Sequence, residues 1–239
     1  MPRSSLTTRT RLITAAEELF AERGIDAVSL REINRASGAR NAVAVQYHFE
    51  DRAGVIRAIL DKHRGAVDAA RHLMLDGYEQ AGRPDLRGLA EALVVPSATK
   101  LADLDGGPAY LQINSELVNR PQAGSVDSGS SDSRDSGSSD SRDSIRRWRS
   151  LVEPLLDPEA TRLHRRFTAI RFSAAELGRR AASGPHTDDR LFISHLVDLV
   201  TAILVAPVSE QTVRLADDRD TSLGVSSRAT RRPEAVEPS

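Results

Sequence analysis

The stretch S-L-R-E-I-N-R-A-S-G-A-R-N-A-V-A-V-Q-Y-H-F, from Ser29 to Phe49, decides how this chain folds. It reads as two short helices joined by a tight turn. Ser29 is a good N-cap and Glu32 follows three residues later, so the pair forms a capping box that starts the first helix. Leu30, Ile33 and Ala36 give that helix a narrow apolar face, and Gly38 stops it, because glycine takes a left-handed C-cap without steric cost. The second helix is expected to start near Arg40 or Asn41. Ala42, Val45 and Phe49 fall on one face, the packed one. Val43, Ala44, Tyr47 and His48 then point away from the core, with Gln46 at the margin. Such a face, led by Arg40 and Asn41, suits a major groove: Val or Ala touches thymine methyls, Arg, Asn or Gln pairs with base edges, and Tyr or His reaches phosphates. A buried helix hairpin in any all-α protein has the same bare pattern.

Flanking motifs favour the first reading. T-R-x-x-L-I-T-A-A-E-E-L-F-A-E-R-G (Thr8 to Gly24), A-V-S-L-R-E-I (Ala27 to Ile33) and Y-H-F-E-D-R-A-G-V-I (Tyr47 to Ile56) occur in order. From about Leu6 to His63 the chain resembles the DNA-binding domain of the TetR family of transcriptional regulators. One departure is visible: the spacing from Gly38 to Phe49 is one residue longer than is usual in that family, and Tyr47 sits one place later. The resemblance implies a three-helix reading domain, a long following helix that transmits effector binding, and dimerisation through the last two long helices. Arg52 matches the family position whose Lys or Arg meets the DNA backbone. Thr8 and Arg9 are expected at the N-terminal end of the first helix, capped at Thr7 or Thr8, where backbone N–H groups and a cation hold a phosphate. The expected DNA contacts are therefore Thr8, Arg9, Ser29, Arg40, Asn41, Val43, Ala44, Gln46, Tyr47, His48 and Arg52.

The rest of the 239 residues allow a second, larger helical unit. There is no Cys, which removes disulfides and thiolate metal sites and fits a reducing cytoplasm. The formal net charge is −1, so any basic surface must be local; residues 1 to 64 hold eleven Arg and Lys against eight Asp and Glu. No signal peptide is read at the N-terminus. The most apolar run, Leu191 to Pro207, is too short to span a bilayer and contains His195 and Asp198. A soluble, cytoplasmic protein is expected.

In chain order, residues 1 to 5 read as a polar arm, and a first helix runs to about Arg23 with Leu12, Ala15, Ala16, Leu19 and Phe20 as its buried stripe. A long helix follows Asp51 to roughly Glu79. Further helices are expected from Asp85 to Pro96, from Ala109 to Val118, from Ile145 to Leu156 and from Asp157 to about Ala182. The last, opened by Asp188 or Asp189, is apolar nearly all round from Leu191 to Val205. Such a helix must be covered on two sides, most economically by a second subunit. Residues 121–144 contain D-S-G-S-S-D-S-R twice without change, at Asp127 to Arg134 and Asp135 to Arg142, and only Ala123 and Val126 are apolar. Too little surface is available there to offset chain entropy, so a disordered low-complexity loop is expected. Residues 216–239 read as a disordered tail.

The chain thus reads as all-α: a helix-turn-helix DNA-binding domain over residues 1–50 and a helical effector-binding and dimerisation domain over 51–215. Six His residues show no zinc spacing, and no phosphate-cradling Gly loop or nucleophile elbow occurs, so neither enzyme nor metal or cofactor chemistry is expected. His195 reads as a core or interface histidine. The expected function is a ligand-responsive dimeric repressor that binds a pseudo-palindromic operator, with an apolar effector pocket drawing on Tyr78, Tyr110, Trp148, Phe167 or Phe172. The alternative is a helical dimerisation or adaptor protein whose helix-turn-helix has lost DNA binding.

Overall fold

No Gly or Pro interrupts residues 3 to 23, and in the computed structural model the first helix, α1, runs through all of them (Arg3–Arg23). The structure describes residues 3–39, 41, 43–82, 85–120 and 144–229; Arg40, Ala42 and the repeat at 121–143 lie outside them. Every regular element among the described residues is helical. Two short helices follow, α2 (Leu30–Ala36) and α3 (Ala44–Phe49), and then the long α4 (Arg52–Ala81). Asp51 caps α4 through its carboxylate on the Gly54 N–H, 2.7 Å away, and Gly82 closes it in the left-handed conformation. The polar arm expected at residues 1 to 5 is therefore helical from Arg3, and Thr8 and Arg9 lie in the second turn of α1, not at its N-terminal end.

Two apolar cores are stacked along α4. The first gathers Leu12, Ile13, Ala16 and Phe20 of α1, Ile25 and Val28 of the following loop, Ile33, Ala44, Val45 and Phe49, and closes on Val55, Ala58 and Ile59 of α4. The second begins with the next residue, Leu60, and continues at Val67 and Leu75, under α5 (Leu86–Ala98), α6 (Gly107–Asn119), α7 (Ser144–Val152), α9 (Arg165–Ala182) and α10 (Arg190–Val205). Helix α6 serves both: Ile113 is buried in the first core, Tyr110 and Leu111 in the second. Its far end grips the α1–α2 loop, because the Glu116 carboxylate accepts the Ile25 N–H at 3.1 Å and Arg120 meets Asp26 at 2.9 Å. On its other side α6 meets α9 so closely that a Cβ added at Gly178 would stand 2.5 Å from the Ser115 Cβ.

One polar group holds the second core in register. Pro96 lies inside α5 and has no N–H, which leaves the Ala92 carbonyl without its helical donor. The buried Arg71 of α4 supplies one: its Nε donates to Ala92 O at 3.0 Å, and its other nitrogens reach Leu93 O, Ser97 Oγ, Ser144 Oγ and Asp68. The guanidinium is thereby almost fully satisfied inside an apolar surround, which is what makes its burial affordable.

Two expectations about the C-terminal half change. The helix expected from Asp157 to Ala182 is two helices, α8 (Pro158–Arg162) and α9. His164 takes a left-handed conformation, φ 55°, which breaks the hydrogen-bond ladder, and its carbonyl restarts it by accepting from Phe167 and Thr168. The tail expected from residue 216 is helical as far as Ala229, in α11 (Glu210–Ala229). Ala216 packs inward, and Arg162 of α8 pairs with Asp217 and Asp220 at 2.8 Å each. Two acidic residues of a segment that reads as polar tail are the ones that fasten it.

Candidate nucleic-acid interface

The capping box at Ser29 forms as the sequence requires. The Ser29 hydroxyl and N–H both donate to the Glu32 carboxylate, at 2.7 and 2.8 Å, and the Glu32 N–H returns to Ser29 Oγ at 3.3 Å. Arg23 adds an ion pair at 3.0 Å. These hydrogen bonds, from the Ser29 backbone first, then its hydroxyl and Arg23, lower the Glu32 pKa to about 2. Ser29 is exposed, but its hydroxyl is already engaged within α2.

Beyond Gly38, Asn41 organises the approach to α3. Its side-chain oxygen accepts the Val43 N–H at 3.1 Å, and its carbonyl accepts both the Ala44 N–H at 3.1 Å and the Asn34 side chain at 2.9 Å. The chain is thus held in a turn until Val43, and α3 starts at Ala44, three or four residues later than expected. That moves Ala44 to the inside: it is buried with Val45 and Phe49 against the first core, and does not belong to the outward face. Asn41 is exposed but is a turn-former first.

What remains outside is a compact set. Tyr47 is 81% exposed, Val43 is 52% exposed, and Gln46 is exposed beside them. His48 is half-buried, its ring edge-on to Tyr47 at 5.1 Å and tilted against Phe49 at 6.1 Å. Arg9 comes across from α1 and lays its guanidinium over the Phe49 ring at 5.2 Å. Thr8 is half-buried nearby in sequence. Arg52 is turned inward: it donates to Val28 O at 2.7 Å and lies 3.8 Å from Asp26, bracing the loop between α1 and α2.

Arg31 and Arg35, exposed at i and i+4 on α2 with no ion pair or hydrogen bond from either guanidinium, are absent from the sequence-derived set. Their i, i+4 spacing on a capped helix, whose one carboxylate, Glu32, is engaged by Ser29 and Arg23, was the available signal. Meanwhile the carboxylates of Glu17, Asp26, Glu32 and Asp51 are occupied within the protein.

The five aromatic residues considered for an effector pocket do not meet in one. Trp148 is fully buried with its indole N–H on Leu89 O at 2.7 Å, and Tyr110 is buried against His63. Tyr78 accepts the Asp85 N–H at 3.0 Å; Phe167 lies between the guanidinium groups of Arg149 and Arg166, 5.1 Å from each; Phe172 is half-buried on the second core. Two adjoining concavities run instead along the α1–α4 seam, both bordered by Arg9, Ala58 and Asp61.

Two short helices, the first held by a capping box and the second presenting Val43, Gln46 and Tyr47 outward, have the arrangement of a helix-turn-helix. Residues 12–59 match the family described as bacterial regulatory proteins, tetR family, so this part of the chain carries that family's N-terminal DNA-binding domain, which supports a TetR-type DNA-binding transcription regulator. No curated protein matches the chain.

Proposed function

We propose that the protein is a homodimeric, effector-responsive repressor that binds a pseudo-palindromic operator from the cytoplasm. The observation that carries the reading is the exposure of Val43, Gln46 and Tyr47 on a helix whose opposite face is fully packed. A base edge is the partner that such side chains lack. Among the remaining expected contacts, Arg9 and His48 border the same face and fit backbone phosphates.

Dimerisation rests on α10. Leu196, Val197, Val200 and Leu204 are buried in the subunit, while Leu191 (84% exposed), His195, Leu199, Ala202 and Val205 form a second stripe facing out. A two-fold contact through that stripe would hold two α3 helices about one DNA turn apart, ~34 Å. No single helix among the described residues is long and apolar enough to cross a membrane. The effector would bind among α4 to α10. Tyr110 and Trp148 already have full packing. To release DNA the effector must favour one subunit arrangement by several kcal/mol, about 5.5 for a complete switch.

The test is selection of duplexes from a random pool by the purified protein, followed by titration of a selected duplex at several salt concentrations. A shared palindromic motif, bound two subunits per duplex with an affinity that falls steeply with salt, is expected. Binding indifferent to sequence, or none, would favour the adaptor reading.

A further inference from the structure

The most heavily charged buried site in the described chain is not on the DNA-facing surface. It lies where the first core meets the second. Glu17 of α1 and His63 of α4 are each 2% exposed, and His63 Nε2 stands 3.0 Å from Glu17 Oε1. On the other side of the ring, Nδ1 is 3.8 Å from Asp103 Oδ2, in the turn that leads into α6. Lys62 bridges Glu17 and Asp105 at 2.9 Å each, and Lys100, at the end of α5, holds Asp103 at 2.8 Å. Tyr110 of α6 lies over the imidazole, centroids 4.9 Å apart. Gly106, at φ 84°, lets the turn pass so close to Glu17 that a Cβ there would overlap the carboxylate.

These are the titratable groups that face His63 from α1, α4, the Asp103–Gly106 turn and α6. Glu17, Asp103 and Asp105 bring three negative charges; Lys62 and Lys100 bring two positive ones. The cluster is one proton short of neutrality, and the imidazole stands between two of the carboxylates. A neutral ring has a single N–H. Given to Glu17, it leaves the Nδ1 lone pair facing Asp103, a repulsive approach that fits the 3.8 Å gap. A second proton on the ring turns that approach into an attraction and draws the turn toward α4.

We infer that His63 is a positioning residue for DNA binding, which bridges Glu17 of the reading domain and Asp103 of the turn before α6 and so couples a proton on its ring to the angle between the two cores. The path is short. The Asp103–Gly106 turn starts α6, and the far end of α6 holds the α1–α2 loop through Glu116 and Arg120. Pulling the turn inward fixes α6 on both the α1 and loop sides. A reading domain held in one orientation loses less freedom on binding, so protonation tightens operator binding.

The inference rests on the operator-binding reading and is tested apart from it. Affinity for a duplex selected by the protein is measured at about pH 8 and at about pH 6. Wild-type protein is expected to bind several-fold more tightly at the lower pH. His63→Gln should lose that difference. Both proteins keep His48 and the other histidines, so the difference between them reports His63. Asp103→Asn leaves the buried Glu17–His63 pair in place and guards against misfolding of the first variant; it should lose the pH difference too and keep the wild-type affinity at pH 8. A profile in which wild type is flat, or in which either folded variant follows wild type, overturns the inference and leaves the operator reading standing. Failure to bind any selected duplex at any pH overturns both.

Discussion

Tyr47 shows what a single side chain reveals when its surroundings are read with it. It buries almost nothing, so Tyr47→Ala should leave thermal unfolding within experimental error while weakening operator binding by about 1–2 kcal/mol, roughly tenfold, in a fluorescence titration. A large fall in melting temperature would show that the ring supports the fold instead. Glu32 is the opposite kind of residue, structural and titrating. Its folded carboxyl is lowered from 4.5 to about 2 by Ser29 and Arg23, so it binds a proton less readily folded than unfolded. Its contribution is complete above the unfolded value and is lost as pH falls from about 5 toward 2. Denaturation across that range should therefore show a loss of stability that Glu32→Gln reduces. Ala44 is the residue the sequence misled on: alanine is too small to declare a side by itself, and the late start of α3 turns it into the core.

At the scale of elements, the closest helix approach is a place where volume decides the outcome. Gly178→Ala would drive a methyl into Ser115 and separate α6 from α9, at an expected cost of about 1–3 kcal/mol in chemical denaturation. Adding Ser115→Gly should restore much of it, since the two positions share one contact. The helices themselves were largely legible beforehand: capping residues such as Ser29, Asp51, Asp85 and Asp157 stand where the sequence places them. What was not legible depended on partners distant in sequence. The break at His164 carries no Gly or Pro to announce it. Helix α11 looked like tail because its aspartates find Arg162 only in three dimensions. The start of α3 hung on Asn41 folding back on its own backbone.

At the scale of the whole molecule, the exposed stripe of α10 makes a claim about assembly. Replacing Leu191 and Leu199 together by Glu should leave the subunit folded, because neither lies in the second core, but should halve the molecular mass seen by light scattering and reduce operator affinity by more than tenfold. A protein that remains dimeric after that change would place the contact elsewhere. The outward placement of Val43, Gln46 and Tyr47 was readable in sequence because it follows from local periodicity, whereas the inward placement of Ala44 was not. The joint between the cores was not: Glu17 and His63 are 46 residues apart, and nothing about either alone marks it as buried or paired.

The construction of α3 carries a last consequence. Val45 and Phe49 anchor the helix, whereas Val43, Gln46 and Tyr47 face outward with side chains that hold no hydrogen bond inside the subunit. The letters and the type-block that holds them are therefore separate. If these three side chains read the bases, as proposed, changes at them would redirect the protein to a new sequence while its architecture stays as it is.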